Sequence, residues 1–563
     1  MPNHPFDQLP PASLSPLLLH HWCDVDVVLG MAKMWMCCLF SSISIRAPIA
    51  AAATTVVFLG VGYKLVGVAG VGVGSVIATF VCVEAYCGDG FHVGGGGGDG
   101  GVGSGCDGIV ARWNSAYDQQ ILQEYFQELI AERKCKGIRV NPEGEHGKGV
   151  YADFDFIEGD LILKDQMLVG AQHSSNKIDC LVCSFCFQFI GSVELQIGKK
   201  LYLQELGISA DNECGPSDRT ECSSGSFIDR SPLLQDTIES LMNGSMRLPF
   251  SEKFPLPSVV SCPGGCREAY YCSESCAKAD WDSFHSLLCT GKGSKSSNIK
   301  ALLKFIQHAN ETNDIFILAA KVISFSILRY RKLKVAQCEN PEKHDSMNLC
   351  TNYGFPLLLE AWKPVSMGYK RRWWDCIALP EDVDSCDEAM FRMQIRDLAF
   401  TSLEILKEAM YDKECEPLFS LEIYGHIIGM FELNNLDLVV ASPVEDYFLY
   451  IDDLPFSEKK EAEKITKPVL DALGDDYSIC CQGTAFFPLQ SCMNHSCIPN
   501  AKAFKREEDR DGQATIIALK PISKGEEITI SYIDEDLPYE ERRALLEDYG
   551  FLCLCPRCSE EGS

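Results

Sequence analysis

The period of hydrophobic and polar positions changes along the chain, and these changes predict the order of its elements. Residues 117–134 place apolar side chains three and four positions apart, which predicts an amphipathic helix. Between residues 136 and 170, short β-rich runs alternate with Gly and Asp turns, which indicates two or three antiparallel strands. Helical spacing returns at 298–334, 395–412 and 419–433.

A second strand-rich region covers residues 483–534, so the helical stretches separate two regions of strands. Two other segments have mixed polar composition and read as loops. They are residues 187–261, expected to be a largely unstructured insert, and residues 336–353. The pattern therefore predicts an α+β fold.

Charge narrows the range of partners. The chain has 563 residues, enough for three or four domains, and a formal net charge of −29. This charge argues against direct nucleic-acid binding and favours a basic partner, although it can also serve solubility alone. For the same reason we interpret GYKRRWWDC (368–376) as buried tryptophans with charged neighbours at the surface, and not as a platform for stacking bases.

Residues 1–112 are predicted to be a poorly structured extension. They contain an apolar run at 47–83 and a glycine-rich linker at 94–105. Residues 65–83 are uncharged and just long enough to span a membrane. Basic residues precede this run and acidic residues follow it, which would leave the cysteine-rich part outside the cytosol. A targeting segment or a wrongly extended start is therefore favoured, and a membrane anchor stays an alternative.

The cysteines fall in close pairs that suit a metal better than disulfides. The spacings are Cys262-x3-Cys266, Cys272-x3-Cys276 and His285-x3-Cys289, with Cys180, Cys183 and Cys186 upstream. Zinc takes four such ligands in a tetrahedron, and a short spacing lets one turn supply two of them. The pattern predicts two zinc sites and a reducing compartment, cytosol or nucleus. Spacing leaves open which upstream cysteines form the first pair.

A third metal site is predicted at the C-terminus. Cys553, Cys555 and Cys558 give three ligands, and Cys497 in the stretch QSCMNHSCIPN can give the fourth. Such a site would tie the C-terminus across the triplet at 494–496, Asn-His-Ser. We therefore expect the triplet to be pinned against a pocket, where the alternative is a plain surface turn.

Several motifs together resemble a known family. GKGVYA, NHSCIPN, GEEITISY and CLCPRC resemble the SET domain of protein-lysine methyltransferases, and YYCSESCAKADWDSFHSLLC resembles a MYND zinc finger. A finger inserted into a split SET domain is the layout of the SET-and-MYND family. The stretches LVCSFCFQFIGS and SLEIYGHIIGMFELNNLDLVVASPVEDYF resemble its plant trithorax-related group. The resemblance covers about residues 120–560.

The family layout implies a SET domain of small knotted β-sheets split by the finger, with helical segments and a zinc-bound post-SET tail. The predicted order is the extension at 1–112, a helix at 113–135, the N-terminal SET half at 136–182, the MYND-type finger at 183–289 with its loop insert at 187–261, a helical intermediate region at 290–415, the C-terminal SET half at 416–550 and the tail at 551–563.

The resemblance also implies S-adenosyl-L-methionine and about three zinc ions as cofactors. It assigns catalysis to Tyr532, and cofactor binding to Lys148, Gly149, Asn434, Asn494 and His495. It groups the metal ligands as Cys183, Cys186, Cys272 and Cys276; Cys262, Cys266, His285 and Cys289; and Cys497, Cys553, Cys555 and Cys558. The finger departs from the family pattern by its long insert and its x3 spacing, so Cys180 with Cys183 stays an alternative first pair. Phe486, Phe487 and Phe551 are candidates to line a lysine channel, with core packing as the alternative.

The function implied is methyl transfer to lysine in a basic protein such as a histone tail. The implied compartment is the nucleus, with the cytoplasm as an alternative, and the finger would bind peptide partners. Two alternatives stay open. One is a catalytically silent zinc-binding adaptor, against which the intact Asn494, His495 and Tyr532 argue. The other is a membrane-tethered methyltransferase of non-histone proteins, which depends on residues 65–83.

Overall fold

The structure, a computed structural model, describes residues 119–562 apart from 145–146, 207–234, 340–353, 369–370, 381–382, 385 and 507. The predictions for the extension 1–112, its apolar run and its glycine-rich linker lie outside the described residues. Among the helices that the structure describes, none is both long and apolar enough to span a membrane.

The described residues form an α+β fold. The helices are α1 (Gln119–Glu132), α2 (Asn176–Asp179), α3 (Val193–Glu205), α4 (Gln235–Met242), α5 (Glu274–Asp280), α6 (Ser286–Leu288), α7 (Ile299–Glu311), α8 (Ile315–Glu339), α9 (Gly354–Ser366), α10 (Trp373–Cys376), α11 (Glu388–Met410), α12 (Leu421–Asn434), α13 (Pro443–Asp452), α14 (Phe456–Leu473), α15 (Tyr539–Asp548) and α16 (Pro556–Glu561). The strands are β1 (Ile138–Gly144), β2 (Gly147–Ala152), β3 (Leu161–Asp165), β4 (Val169–Gln172), β5 (Val260–Ser261), β6 (Tyr270–Tyr271), β7 (Asn435–Val440), β8 (Cys481–Phe486), β9 (Asn494–His495), β10 (Ala501–Ala503), β11 (Ala514–Ala518) and β12 (Glu527–Ile530).

Three small sheets join the two strand-rich regions. Their strand orders are β1-β2-β12-β9, β10-β11-β3 and β4-β8-β7. Each sheet therefore combines strands from before the zinc finger with strands from after it. The two halves of the split domain therefore form one set of sheets, and the finger and the intervening helices connect these halves in sequence.

The strands at 136–170 pair antiparallel, as predicted, and the structure has four of them where two or three were expected. β1 and β2 pair with each other, with Val140 opposite Val150. β3 and β4 pair with β11 and β8 of the second strand-rich region, partners that were not predicted. The alternation of side chains identifies a strand but carries no information about a partner several hundred residues away.

The helical predictions are confirmed with one refinement. α1 covers the predicted amphipathic helix and buries Phe126 in the core of the first sheets. The stretch at 298–334 is two helices, α7 and α8, separated where Asp314 accepts a hydrogen bond from the Ser174 backbone N–H at 3.1 Å. Trp373 and Trp374 are 1% and 6% exposed, which confirms the interpretation of this stretch as buried tryptophans.

The prediction that the insert at 187–261 is largely a loop is wrong for its described residues, because they include the helices α3 and α4. These pack with α13 and α14 around a separate apolar core that contains Leu241 and Tyr447. Some polar side chains in the described part of this insert are buried and make hydrogen bonds. Glu194 accepts hydrogen bonds from the Leu248 N–H at 3.0 Å and the Ser251 hydroxyl at 2.5 Å. Composition alone could not distinguish such groups from loop residues.

Asp165 at the end of β3 holds the turn that leads into β9. It is fully buried, and its Oδ2 accepts hydrogen bonds from the N–H groups of Leu489 and Gln490 at 2.7 and 2.9 Å. Its other carboxylate oxygen forms an ion pair with Arg133, which follows α1. One carboxylate thus joins α1, β3 and the approach to the Asn-His-Ser triplet.

We predict that Asp165→Ala destabilises the fold by about 3 kcal/mol or more, because it leaves a buried guanidinium and two buried N–H groups without their acceptor. The matched control is Asp153→Ala, since Asp153 pairs with Arg139 at 3.2 Å on the surface, where both side chains are 47% exposed. Such a pair contributes about 1 kcal/mol or less. Urea unfolding followed by circular dichroism measures both variants, and equal midpoints would contradict the role assigned to Asp165.

Candidate active site and zinc clusters

The described residues contain three groups of four Cys or His side chains whose ligand atoms lie within 4.8 Å of one another. The groups are Cys183, Cys186, Cys272 and Cys276; Cys262, Cys266, His285 and Cys289; and Cys497, Cys553, Cys555 and Cys558. The first two groups interleave, because their ligand pairs alternate along the chain.

The spacing of the sulfur atoms fits zinc. Four thiolates about 2.3 Å from a zinc ion in a tetrahedron stand roughly 3.8 Å from one another. The Sγ–Sγ distance is 3.6 Å for Cys186 and Cys272, and 3.7 Å for Cys262 and Cys289. In the C-terminal group, Cys497 Sγ lies 3.5 Å from Cys558 Sγ. The three clusters therefore fit three zinc ions.

Cys180 lies outside these clusters. It is buried among apolar side chains, and its thiol donates to the Ile479 carbonyl oxygen at 3.6 Å. The structure thus groups Cys183 and Cys186 with the later pair. Spacing could not decide this point, because all three upstream cysteines are three residues apart.

A buried arginine accompanies the C-terminal cluster. Arg542 on α15 is fully buried, and its Nη2 lies 3.9 Å from Cys558 Sγ. The same guanidinium donates to the Leu537 carbonyl at 2.6 Å and pairs with Glu561 on α16. Four thiolates bound to one divalent ion carry a net negative charge, which this guanidinium offsets. Arg542 could not be predicted from the sequence, since an arginine on a charged helix gives no distinctive signal.

Four of the five residues predicted to bind the cofactor, all except Asn434, meet along β2, β12 and β9. β9 runs parallel to β12, with Asn494 opposite Thr529. The Asn494 amide Nδ2 donates to the Lys148 carbonyl oxygen at 3.0 Å and to Glu527 Oε1 at 2.7 Å. Asn494, Lys148 and Gly149 are therefore neighbours, although Asn494 is separated from the other two by more than 300 positions.

Gly149 lies where a side chain would not fit. A Cβ atom at this position would stand 2.6 Å from Glu527 Oε1 and 3.0 Å from a ring carbon of Tyr151. Any larger residue would displace the carboxylate that holds the Asn494 amide. Gly149 in β2 thus leaves room for the Glu527 carboxylate. Glu527 is a further site residue, contained in the GEE motif but not predicted from the sequence.

Tyr532 follows β12 and lies over the triplet. Its phenol donates to the Met493 carbonyl oxygen at 2.6 Å, and its backbone N–H donates to His495 Nδ1 at 3.0 Å. Burial raises the pKa of the Tyr532 phenol, which keeps it protonated at neutral pH. Burial and the charge of Arg542 lower the pKa of His495 to about 4, so its ring is neutral.

Aromatic rings surround Tyr532. Its ring centroid lies 5.3 Å from that of Tyr549, 5.4 Å from that of His495 and 6.3 Å from that of Phe551. Tyr549 and Phe551 stand between α15 and the zinc-bound tail, so the tail supplies one wall of this site. The sequence analysis did not single out Tyr549.

The three candidate phenylalanines separate. Phe486 is fully buried in the large core of the helical region, and Phe487 is buried in the small core beside β7 and β8. Phe551 alone of the three has a ring contact with Tyr532 in the described part of the chain. This placement favours core packing for Phe486 and Phe487.

Asn434 lies at the end of α12, in the layer of β7 and β8. Its amide donates to the Met430 carbonyl oxygen at 2.9 Å. A connection to β2 runs through the segment after α9, because the Lys148 ammonium donates to the Met367 carbonyl oxygen. A Cβ atom on the neighbouring Gly368 would lie 2.8 Å from Met430 Sδ. Asn434 is thus connected to Lys148 through Met430 and residues 367–368.

Comparison with known proteins agrees with this architecture. Residues 255–289 match the MYND finger family, and residues 365–533 match the SET domain family. The chain is 66% identical over 451 residues to the histone-lysine N-methyltransferase ATXR2 of Arabidopsis thaliana, which covers 78% of this chain and 94% of that protein. It is 21% identical over 438 residues to the protein-lysine N-trimethyltransferase SMYD5 of Gallus gallus, covering 73% of this chain and 83% of that protein.

The chain therefore belongs to the family of SET-domain protein-lysine methyltransferases that carry a MYND zinc finger. Enzymes of this family transfer a methyl group from S-adenosyl-L-methionine, and the zinc finger inserted into the split SET domain accounts for the two interleaved clusters.

We predict that the purified protein contains three zinc ions per chain. Cys272→Ser should remove one ion, because it takes one of four ligands from a finger site. Cys415→Ser is the control, since Cys415 is fully buried in the helical core and lies outside the clusters. Elemental analysis under reducing conditions measures all three proteins. Two or fewer ions in the wild type would show that a cluster has been misassigned.

Proposed function

We propose that this methyltransferase acts in the nucleus on lysines of histone tails, with Tyr532 as its catalytic residue. The observation that carries the proposal is the contact of Tyr532 with the Asn-His-Ser strand. Asn494 is the first residue of the two-residue strand β9. The Tyr532 phenol donates a hydrogen bond to the carbonyl of Met493, the residue directly before that strand. A tyrosine and a cofactor-binding amide so placed can act on one reaction centre.

In the proposed site, Lys148, Gly149 and Asn494 hold the amino-acid end of the cofactor. Both hydrogens of the Asn494 amide are committed to Lys148 and Glu527, so its oxygen is the atom left to accept from an ammonium group. The Lys148 carbonyl has a second lone pair for the same purpose. The His495 backbone contacts the adenine, and Asn434 contributes from the layer of β7.

S-adenosyl-L-methionine supplies a methyl group activated by its sulfonium charge. Transfer is an in-line displacement, so the protein has to align the lysine nitrogen with the methyl group and exclude water. Because the Tyr532 phenol donates a hydrogen bond to the Met493 carbonyl, the phenol oxygen is oriented to accept a hydrogen bond from the lysine amine. Phe551 and Tyr549 provide apolar surroundings, which lower the pKa of an incoming lysine and favour the neutral nucleophile.

Acidic groups near Tyr549 support a basic substrate. Burial raises the pKa of Tyr549, and the charges of Glu432, Asp548 and Asp437 raise it further. Glu432 is half-buried and accepts a hydrogen bond from Trp373 Nε1 at 2.8 Å, which fixes its position. These acidic groups around Tyr549 would attract a lysine-rich peptide while its ammonium groups are charged, and the net charge of −29 extends that attraction into solution. Burial of the target lysine between the aromatic rings then has to lower its pKa against these charges.

The test is incubation of the purified protein with isotopically labelled S-adenosyl-L-methionine and a panel of core histones, with non-histone basic proteins beside them. We predict transfer to a histone by the wild type. Tyr532→Phe should bind the cofactor normally in calorimetry and lose about a hundredfold in transfer rate, because one preorganised hydrogen-bonding group is lost with little volume.

Three outcomes would contradict the proposal. Near-normal turnover by Tyr532→Phe would reduce Tyr532 to a packing role. Transfer by the wild type to non-histone proteins alone would reject histones as substrates, and binding of the cofactor without transfer to any basic protein would favour the adaptor function.

A further inference from the structure

The side chain of His495 has hydrogen-bond partners on both ring nitrogens, and they belong to two different parts of the site. Nδ1 lies 3.0 Å from the backbone nitrogen of Tyr532. Nε2 lies 3.2 Å from Cys497 Sγ, a member of the C-terminal cysteine cluster. One imidazole therefore bridges the proposed catalytic tyrosine and the predicted zinc site of the tail.

The partners determine which nitrogen carries the proton. A backbone N–H can only donate, so Nδ1 has to accept from Tyr532. A neutral imidazole then has its hydrogen on Nε2, where it points at the sulfur. A thiolate that binds a metal is a good acceptor for such an N–H. The geometry at both ends thus suits a single neutral tautomer.

We propose that the His495 side chain is a positioning residue that couples the zinc cluster of the tail to Tyr532. This role rests on the proposed function of Tyr532 and is separate from the cofactor contact proposed for the His495 backbone. With its N–H held by the imidazole and its phenol held by the Met493 carbonyl, Tyr532 is fixed at two points. The imidazole is itself fixed by the cluster, so loss of the tail zinc releases the tyrosine backbone.

A packing role makes a different prediction. The His495 ring also contacts the rings of Tyr532 and Phe551, with centroids 5.4 and 6.0 Å apart. If the imidazole only filled this space, any polar replacement of similar size would have one and the same effect. If it acts through its two nitrogens, replacements that keep one or the other hydrogen bond should have different effects.

Two substitutions separate the nitrogens and serve as controls for each other. His495→Asn places an amide oxygen near the position of Nδ1, so it can accept from the Tyr532 N–H but does not reach Cys497. His495→Gln places an amide N–H near the position of Nε2, so it can donate to Cys497 but leaves the Tyr532 N–H without this acceptor. Both variants keep the His495 backbone.

The experiment measures three quantities on the full-length protein loaded with zinc. We expect His495→Gln to release its tail zinc to a chromogenic chelator at the wild-type rate. Its Tyr532 amide should exchange with deuterium faster, and kcat should fall by about tenfold with little change in the cofactor KM. We expect His495→Asn to keep the Tyr532 amide protected, because its amide oxygen still accepts from that N–H, and to release the tail zinc about tenfold faster.

The proposal is overturned if both variants lose zinc, amide protection and activity in parallel, since this is the signature of a packing role. It is also overturned if His495→Gln exchanges and turns over like the wild type. Zinc release and hydrogen exchange do not depend on turnover. A wild type that transfers no methyl group would therefore contradict the proposed function, while these two readouts would still decide the coupling.

Discussion

The site depends on one shared ligand, the thiolate of Cys497. This residue stands two positions after His495, and its sulfur lies 3.5 and 3.9 Å from the sulfurs of Cys558 and Cys553 in the tail. The cluster therefore holds the C-terminus against β9. Tyr549 and Phe551, which form a wall around Tyr532, are placed by that attachment.

Contacts between distant parts of the chain also hold the split domain together. Each of the three sheets joins strands from both sides of the insertion, so the inserted finger and helices do not interrupt the pairing of the strands. The finger is attached to the body at several points. The Gly512 N–H donates to the Cys186 carbonyl at 2.7 Å, and the Ser324 hydroxyl donates to the Phe284 carbonyl at 2.6 Å. These hydrogen bonds connect a zinc-binding loop of the finger to the catalytic domain, and its last helical turn to the helical region.

Features that depend on short spacings along the chain could be predicted from the sequence. Features that depend on contacts between distant residues could not. Cysteine spacing and short motifs predicted three metal clusters and brought Tyr532 and Asn494 into one hypothesis. The partners of β3 and β4 could not be predicted, because strand alternation says nothing about pairing. Glu527 and Arg542 were missed for a related reason, since a single charged residue becomes distinctive only when the fold buries it beside an amide or a thiolate.

The most direct test of the account is to measure zinc content and S-adenosyl-L-methionine affinity together in Cys497→Ser. We predict loss of one zinc ion and weaker cofactor binding in the same variant, because the tail that covers the triplet is released. Cys180→Ser is the matched control, a buried cysteine outside the clusters that should keep three ions and normal affinity. Loss of the tail zinc with unchanged cofactor affinity would contradict the account.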